Sequence, residues 1–100
     1  MNSLLFGSPG IPISTIPRDT MNGIRQVKSL GLDAMEFEFV QSVHVSEEKA
    51  PHVKKIAQDL GIVLTCHGQY WVNLAAIEKA KYDASIARML LAAKRVSECG

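Results

Sequence analysis

GLDAMEFEFV, residues 31–40, is the stretch of sequence that decides the fold. After its first residues, apolar and acidic side chains alternate in the order Met35, Glu36, Phe37, Glu38 and Phe39. A period of two residues is that of a β-strand whose two faces meet different environments. The glycine at the start of the stretch is typical of the position that ends a helix. We therefore predict a helix that runs directly into a two-faced strand.

The same junction occurs a second time along the chain. Gly31 and Gly61 lie thirty residues apart, and each stands between apolar residues. Upstream of each glycine, apolar residues recur at helical spacing. We predict that Thr20 caps the first helix and that Ser46, which is followed by two glutamates, caps the second. The chain is therefore built from strand-helix units.

The remaining elements follow the same order. We predict a short first strand at residues 4–6, followed by a long proline-containing loop. A third unit comprises a strand at 62–67, a loop at 68–76 and a long alanine-rich helix at 77–98. Strands that are joined through helices favour a parallel sheet.

Composition restricts the class of protein. Hydrophobic residues make up 47% and charged residues 21% of the 100 residues, and the formal net charge is +1. These values are typical of a globular domain and argue against a broadly polycationic nucleic-acid-binding chain. No apolar run approaches a membrane span and no secretory signal is evident, so we expect a cytoplasmic protein without a membrane partner. Cys66 and Cys99 form no CxxC motif, and we expect both to be packed thiols.

Two folds combine parallel strands with intervening helices, the doubly wound sheet and the (βα)8 barrel. Glu36 and Glu38 favour the barrel, because a doubly wound sheet covers both faces with helices and leaves carboxylates in mid-strand without partners. We therefore predict an α/β protein of the (βα)8 TIM-barrel family, with residues 1–100 forming about the first three βα units of a single domain. Since a typical barrel has about 250 residues, we expect the domain to be cut before its fourth strand.

The residues best suited to chemistry fall where barrel ligands bind, at the carboxyl ends of the strands. Glu36, Glu38 and His67 occupy the strand face that a barrel turns inward, and Tyr70 and Trp71 follow in the next loop. Structural roles are the alternative: a hydrogen-bonded histidine, glutamates on a solvated edge strand, and aromatic residues that plug the barrel mouth. The residue pattern by itself leaves both interpretations open.

Several segments together resemble the opening of the endonuclease IV family. They are FGSPGIPIST at 6–15, GLDAMEFEFV at 31–40, TCHGQYWVNLAA at 65–76 and KYDASIARMLLAAKR at 81–95. The most specific piece runs from His67 to Tyr70 and continues with Asn73, and it is similar to the family's His-Ala-Pro-Tyr-x-x-Asn-Leu segment. Gly68 and Gln69 stand where the family has Ala-Pro. The resemblance spans nearly the whole chain.

The resemblance implies a fold, a reaction and a set of roles. The family's members are (βα)8 barrels that use zinc to hydrolyse the phosphodiester 5′ to an abasic site in DNA. By resemblance, His67 is a zinc ligand, Tyr70 faces the DNA and Asn73 supports its loop. Glu36 and Glu38 are additional candidates for substrate contacts. Because a catalytic zinc normally takes three protein ligands, we predict that the 100-residue chain alone binds zinc weakly and does not cleave DNA.

Two further functions remain open. The wider superfamily includes sugar isomerases and epimerases of the xylose isomerase type, and Glu36 suits a contact to a sugar hydroxyl as well as a DNA role. The third hypothesis is non-catalytic: a chain that self-associates through its open sheet edges and uncovered apolar faces.

Overall fold

The computed structural model describes residues 3–100, which form an α/β unit. Its elements are β1 (Gly7–Pro9), α1 (Thr20–Ser29), β2 (Ala34–Glu38), α2 (Ala50–Leu60), β3 (Val63–His67) and α3 (Lys79–Glu98). The strands form one parallel sheet in the order β1-β2-β3. The predicted succession of strand-helix units is confirmed.

The first strand lies later in the chain than predicted. Residues 4–6 are not a strand, and β1 begins at Gly7. Phe6 instead binds the turn before β2, where its carbonyl oxygen accepts hydrogen bonds from the backbone N–H groups of Asp33 (2.7 Å) and Ala34 (3.2 Å). Gly7 pairs with Ala34 in the parallel register. The pairing partner on β2 therefore decided where β1 begins, and local sequence did not.

The predicted start of each of the first two helices is also corrected. Asp19, not Thr20, caps α1, since its carboxylate accepts a hydrogen bond of 2.8 Å from the backbone N–H of Asn22. α2 begins only at Ala50, with a proline in its first turn, where a missing N–H costs nothing. The Ser46 hydroxyl accepts a hydrogen bond from the backbone N–H of Lys49 (3.2 Å), and the Ser46 carbonyl accepts one from the N–H of Ala50 (3.0 Å), so Ser46 closes the turn that leads directly into the helix.

The helix ends follow the prediction. Gly31 and Gly61 have φ values of 76° and 68°, the left-handed conformation that glycine adopts without a steric penalty. Immediately after them, the N–H of Leu32 donates to the carbonyl of Val27 (3.0 Å) and the N–H of Ile62 to that of Ala57 (2.8 Å). These bonds satisfy the last carbonyls of each helix and turn the chain into the next strand.

The hydrophobic core lies between the sheet and the helices. Its β2 members, Met35 and Phe37, are 1% and 2% exposed, and Phe39 just beyond is fully buried. The rings of Phe37 and Phe39 stack with centroids 5.2 Å apart. On the opposite face the β2 side chains are half-buried and the β3 side chains exposed. Helices therefore cover one face of the sheet, and the polar face remains open, as in the inner wall of a barrel.

Both cysteines are free thiols that pack among apolar neighbours, as expected. Cys99 is 1% exposed and Cys66 is half-buried. Burial raises the pKa of both thiols, and that of Cys99 to about 11. Within residues 3–100, no helix combines the length and the hydrophobicity needed to cross a membrane.

Candidate active site

The strand register brings the candidate residues together on the open face. Glu36 lies opposite Thr65, and Glu38 lies opposite His67. On the other side of β2, Pro9 lies opposite Glu36. Because the side chains at these positions point away from the helices, two carboxylates and one imidazole occupy neighbouring positions at the carboxyl end of the sheet. This is the end at which barrels of parallel strands bind their ligands.

The two glutamates form a carboxyl pair. Glu36 raises the pKa of Glu38, chiefly because it can accept a hydrogen bond from the protonated Glu38 carboxyl, with smaller contributions in the same direction from burial and from the charge of Glu36. His67 acts in the opposite direction and lowers that pKa. Two carboxyl groups that share a hydrogen bond hold a proton between them more firmly than either holds one alone. Both carboxyl groups can accept hydrogen bonds from a polar ligand.

His67 presents one ring nitrogen to solvent. Its side chain is exposed, and Nδ1 lies 2.8 Å from the backbone carbonyl oxygen of Gly68. A carbonyl oxygen only accepts, so Nδ1 must carry the proton in the neutral ring. Nε2 then keeps its lone pair, which is the state in which a histidine binds a metal ion.

The loop that follows β3 carries two exposed aromatic rings. Tyr70 is 64% and Trp71 is 59% exposed. The Tyr70 ring packs edge-on against His67 (5.7 Å between centroids) and against Trp71 (6.4 Å). The Tyr70 N–H donates to the carbonyl of Val40 (2.9 Å), which extends the contact between the ends of β3 and β2. These rings form a rim beside the inner face.

Helix α3 holds this loop from behind. The hydroxyl of Ser85, a buried residue, accepts a hydrogen bond from the backbone N–H of Asn73 (2.9 Å), and Arg88 donates to the carbonyl of Trp71 (2.7 Å). The side-chain oxygen of Asn73 accepts from the N–H of Ala75 (3.0 Å), which closes a local turn. Asn73 thus organises the loop through its backbone and its side chain.

The residues of this part of the chain do not complete a metal site. Across residues 3–100, no group of three or more His, Cys, Asp and Glu side chains lies close enough together to hold a metal ion. His67 has the donor atom that zinc prefers, and Glu38 lies on the adjacent strand. The fit to zinc is therefore partial: one imidazole of the right kind and tautomer, without a full set of ligands.

Sequence patterns did not indicate that Arg18 and His44 line a cavity beside the two glutamates. His44, in the loop after β2, and His52, on α2, are both exposed. The His44 ring, although exposed, packs edge-on against Phe39 with centroids 5.0 Å apart. It lines a cavity of about 250 Å³ together with Arg18 and both glutamates of the carboxyl pair. The one feature of the sequence that could have indicated packing of His44 is its position between two valines in the loop after β2.

The parallel βα units and the polar inner face define a protein of the TIM-barrel class. Residues 24–100 match the model of the family described as xylose isomerase-like TIM barrel. An uncharacterized protein of Methanocaldococcus jannaschii is 36% identical over 97 residues, which are 97% of this chain and 34% of that protein. The chain therefore belongs to the xylose isomerase-like TIM-barrel family, and its elements are those of the first few βα units of such a barrel. It spans about a third of the length of this curated relative.

Proposed function

We propose that this chain carries the first part of the active site of an endonuclease IV-like enzyme, which hydrolyses the phosphodiester 5′ to abasic sites in DNA with bound zinc. One observation carries the proposal: His67 ends β3 on the inner face with Nε2 available, and the exposed ring of Tyr70 follows three residues later. The same spacing of histidine and tyrosine supports the resemblance of this segment to that family.

Within this proposal, His67 is a zinc ligand, and the other ligands lie outside residues 3–100. Bound zinc would supply a positive charge that offsets the negative charge developing on the phosphate during hydrolysis. The chain's own residues would act around it. His67 would be held in its tautomer by the Gly68 carbonyl, and Glu38 would lie beside it on the neighbouring strand.

The aromatic rim supports DNA as the substrate. An abasic site lacks a base, so the neighbouring bases lose a stacking partner, and an aromatic ring can take that place. Tyr70 and Trp71 are exposed and held by α3 and by the end of β2, which lowers the entropy cost of ordering them on binding. Stacking of one base on an aromatic side chain contributes about 1–3 kcal/mol.

Incision of a defined duplex tests the proposal. The substrate is an end-labelled oligonucleotide with a single abasic-site analogue, and the readout is the cleaved strand on a denaturing gel. The intact protein from its source cell should cut it in the presence of zinc and lose activity after chelation. His67→Ala should abolish incision, whereas His52→Ala, an exposed histidine on α2, should retain it. An intact, zinc-loaded protein that leaves the duplex uncut would rule the activity out.

The carboxyl pair favours a second candidate, a metal-dependent sugar or sugar-phosphate isomerase or epimerase. Glu36 and Glu38 share the inner face, where Glu36 raises the pKa of Glu38, and two neighbouring carboxyl groups suit the hydroxyl groups of a sugar. This candidate predicts interconversion of aldoses and ketoses, or of epimers, by the intact protein. Glu38→Gln would then abolish isomerisation, and the abasic duplex would stay intact.

Exposed apolar surface favours self-association as a third candidate for the 100-residue chain. β1 and β3 are edge strands within the described sheet, and α3 exposes Leu90 (64%) and Leu91 (45%). Unpaired strand edges and apolar helix faces favour contacts between chains. Sedimentation of the purified chain over a range of concentrations tests this candidate, which a monomer at all concentrations would contradict.

A further inference from the structure

A groove separates the aromatic rim, formed by Tyr70 and Trp71, from helix α3. The groove has a volume of about 560 Å³, with the rim residues and Val72 on one side. Ala84 and Arg88 of α3 are among the residues on the other side. Because the groove is open and both rings are more than half exposed, packing against a core does not fix their position. Hydrogen bonds to the loop backbone must do so.

Two side chains of α3 supply hydrogen bonds to this backbone. The hydroxyl of Ser85 accepts from the N–H of Asn73 (2.9 Å). Nη1 of Arg88 donates to the carbonyl of Trp71 (2.7 Å). Residues three apart in a helix lie on the same side, so both bonds come from one turn of α3. They hold the loop at two points, one on either side of Val72.

Within residues 3–100, these bonds are the only side-chain hydrogen bonds that Ser85 and Arg88 make. Ser85 is 2% exposed, and a buried hydroxyl is costly unless it is hydrogen-bonded. The bond to Asn73 therefore accounts for a polar side chain at this position. Arg88 takes part in no salt bridge between residues of the described segment, so its contact with the loop is not secondary to an ion pair there.

The bond from Arg88 falls on the residue at the centre of a tight turn. The N–H of Val72 donates to the carbonyl of Tyr70 (2.9 Å), which closes a three-residue turn around Trp71. The direction of a side chain at the centre of such a turn follows from the orientation of its own peptide groups. Because Arg88 holds the carbonyl of Trp71, helix α3 sets the direction of the indole ring.

We infer that Ser85 and Arg88 are positioning residues for the aromatic rim. They act through the backbone of Asn73 and Trp71, and they present the Trp71 ring already ordered to a ligand that stacks on it. Binding to an ordered side chain has a smaller entropy cost than binding to a mobile one. The inference rests on the proposed function for the identity of that ligand, a base beside an abasic site, whereas the positioning can be measured without it.

Tryptophan fluorescence tests the positioning directly. Trp71 is the single tryptophan of the 100-residue chain, so its emission reports on the rim alone. Time-resolved anisotropy and acrylamide quenching are measured on the full chain without zinc or DNA. Ser85→Ala and Arg88→Gln should each enlarge the fast component of the anisotropy decay, because the ring then moves independently of the domain. Quenching by acrylamide should increase in the same variants.

Lys81→Gln is the matched control for Arg88→Gln. Lys81 lines the same groove, but its one ion pair among the described residues is with Glu78 and it makes no hydrogen bond to the loop there. The Lys81→Gln variant should therefore keep the wild-type anisotropy. Unchanged anisotropy in both Ser85→Ala and Arg88→Gln would overturn the inference, and so would an equal change in Lys81→Gln.

A second serine variant separates loss of the hydroxyl from damage to the helix. Alanine is the strongest helix former, so Ser85→Ala should leave α3 helical, which far-ultraviolet circular dichroism checks. Ser85→Thr keeps a hydroxyl and should restore the wild-type anisotropy. A threonine variant that behaves like the alanine variant would contradict the role of the hydroxyl. Arg88→Gln, at a partly exposed position, tests the inference independently of Ser85.

Incision kinetics of the intact protein connect the rim to the proposed function. Ser85→Ala and Arg88→Gln should raise KM for the abasic-site duplex about three- to tenfold and leave kcat unchanged, because the rim contributes to binding and not to chemistry. A mobile Trp71 with an unchanged KM, or a lowered kcat alone, would overturn the role in substrate binding. Variants that free Trp71 in a protein that never incises the duplex would refute the endonuclease and leave the positioning role standing. Incision with neither Trp71 nor KM affected would refute the positioning role and leave the endonuclease standing.

Discussion

Replacing Gly7 with alanine is expected to loosen β1 from the sheet. A Cβ atom at this position would lie 2.6 Å from the backbone carbonyl oxygen of Ala34 and 2.9 Å from its Cβ. Gly7 and Ala34 are register partners, and β1 has three such pairs in all. Since the opposing atoms are backbone or attached directly to it, no side chain can rotate away. The strands must move apart, which weakens the wall beside Glu36.

The overlap sets the expected loss of stability in Gly7→Ala. A second glycine provides a matched control. Overpacking typically costs about 1–3 kcal/mol, so we expect Gly7→Ala to lower the free energy of unfolding by about 2 kcal/mol. Gly68 makes the control, because a Cβ there meets nothing within 4 Å and its φ is not left-handed. Gly68→Ala should be neutral or stabilising by up to about 1 kcal/mol, through the reduced entropy of the unfolded chain.

Urea unfolding followed by far-ultraviolet circular dichroism measures the difference. The slope of such transitions is about 1–3 kcal/mol per molar urea for small proteins. The midpoints of the two variants should therefore differ by about 1 M or more, with Gly7→Ala the lower. Equal midpoints would show that the added Cβ atom in β1 does not lower the free energy of unfolding. That result would refute the argument from close approach of the strands.

Three other predictions concern the core, the first helix cap and the thiols. Phe37→Ala should cost about 3–5 kcal/mol in the same assay, because it leaves a cavity in the core, whereas Phe6→Ala, at a side chain 63% exposed, should change stability by less than about 1 kcal/mol. Hydrogen bonds from the first turn of α1 hold the pKa of Asp19 below its ordinary value, so its contribution is complete above about pH 4 and is lost as pH falls through the lowered pKa. Asp19→Ala should therefore lower the melting temperature at pH 7 and make little difference in strong acid, and an equal loss at both pH values would contradict the charged cap. Cys99, with a pKa of about 11 and 1% exposure, should react with a disulfide reagent at pH 8 more slowly than Cys66, and mass spectrometry of each labelled peptide gives the two rates.

The local sequence pattern was sufficient to predict the two faces of β2. Alternation at residues 35–39 placed Met35 and Phe37 in the core and Glu36 on the other face, and the structure agrees. The alternation worked because a strand's period of two is a property of its own backbone. The same reasoning failed for β1, because a strand of three residues is too short to show an alternation of period two. This strand also includes both a glycine and a proline. Pairing with β2 decided its position.

Local patterns did not indicate that Arg18, His44 and Lys49 line one cavity, for a different reason. Arg18 belongs to the loop after β1, and His44 and Lys49 belong to the loop after β2. Nothing in either loop alone indicates that these side chains line one cavity. Loops lack a repeating backbone geometry, so the direction of a side chain depends on the elements that the loop packs against.

The sequence by itself determined the order of βα units, the glycine helix ends, the inner and outer faces of β2, and a histidine at the end of β3. These features depend on backbone conformations and side-chain alternation within a few residues. Only the tertiary structure decided that Glu38 lies opposite His67 and that Arg18, His44 and Lys49 line one cavity. These features depend on contacts between strands, loops and helices that are distant in the chain, and such contacts form only when the sheet and its helices pack together.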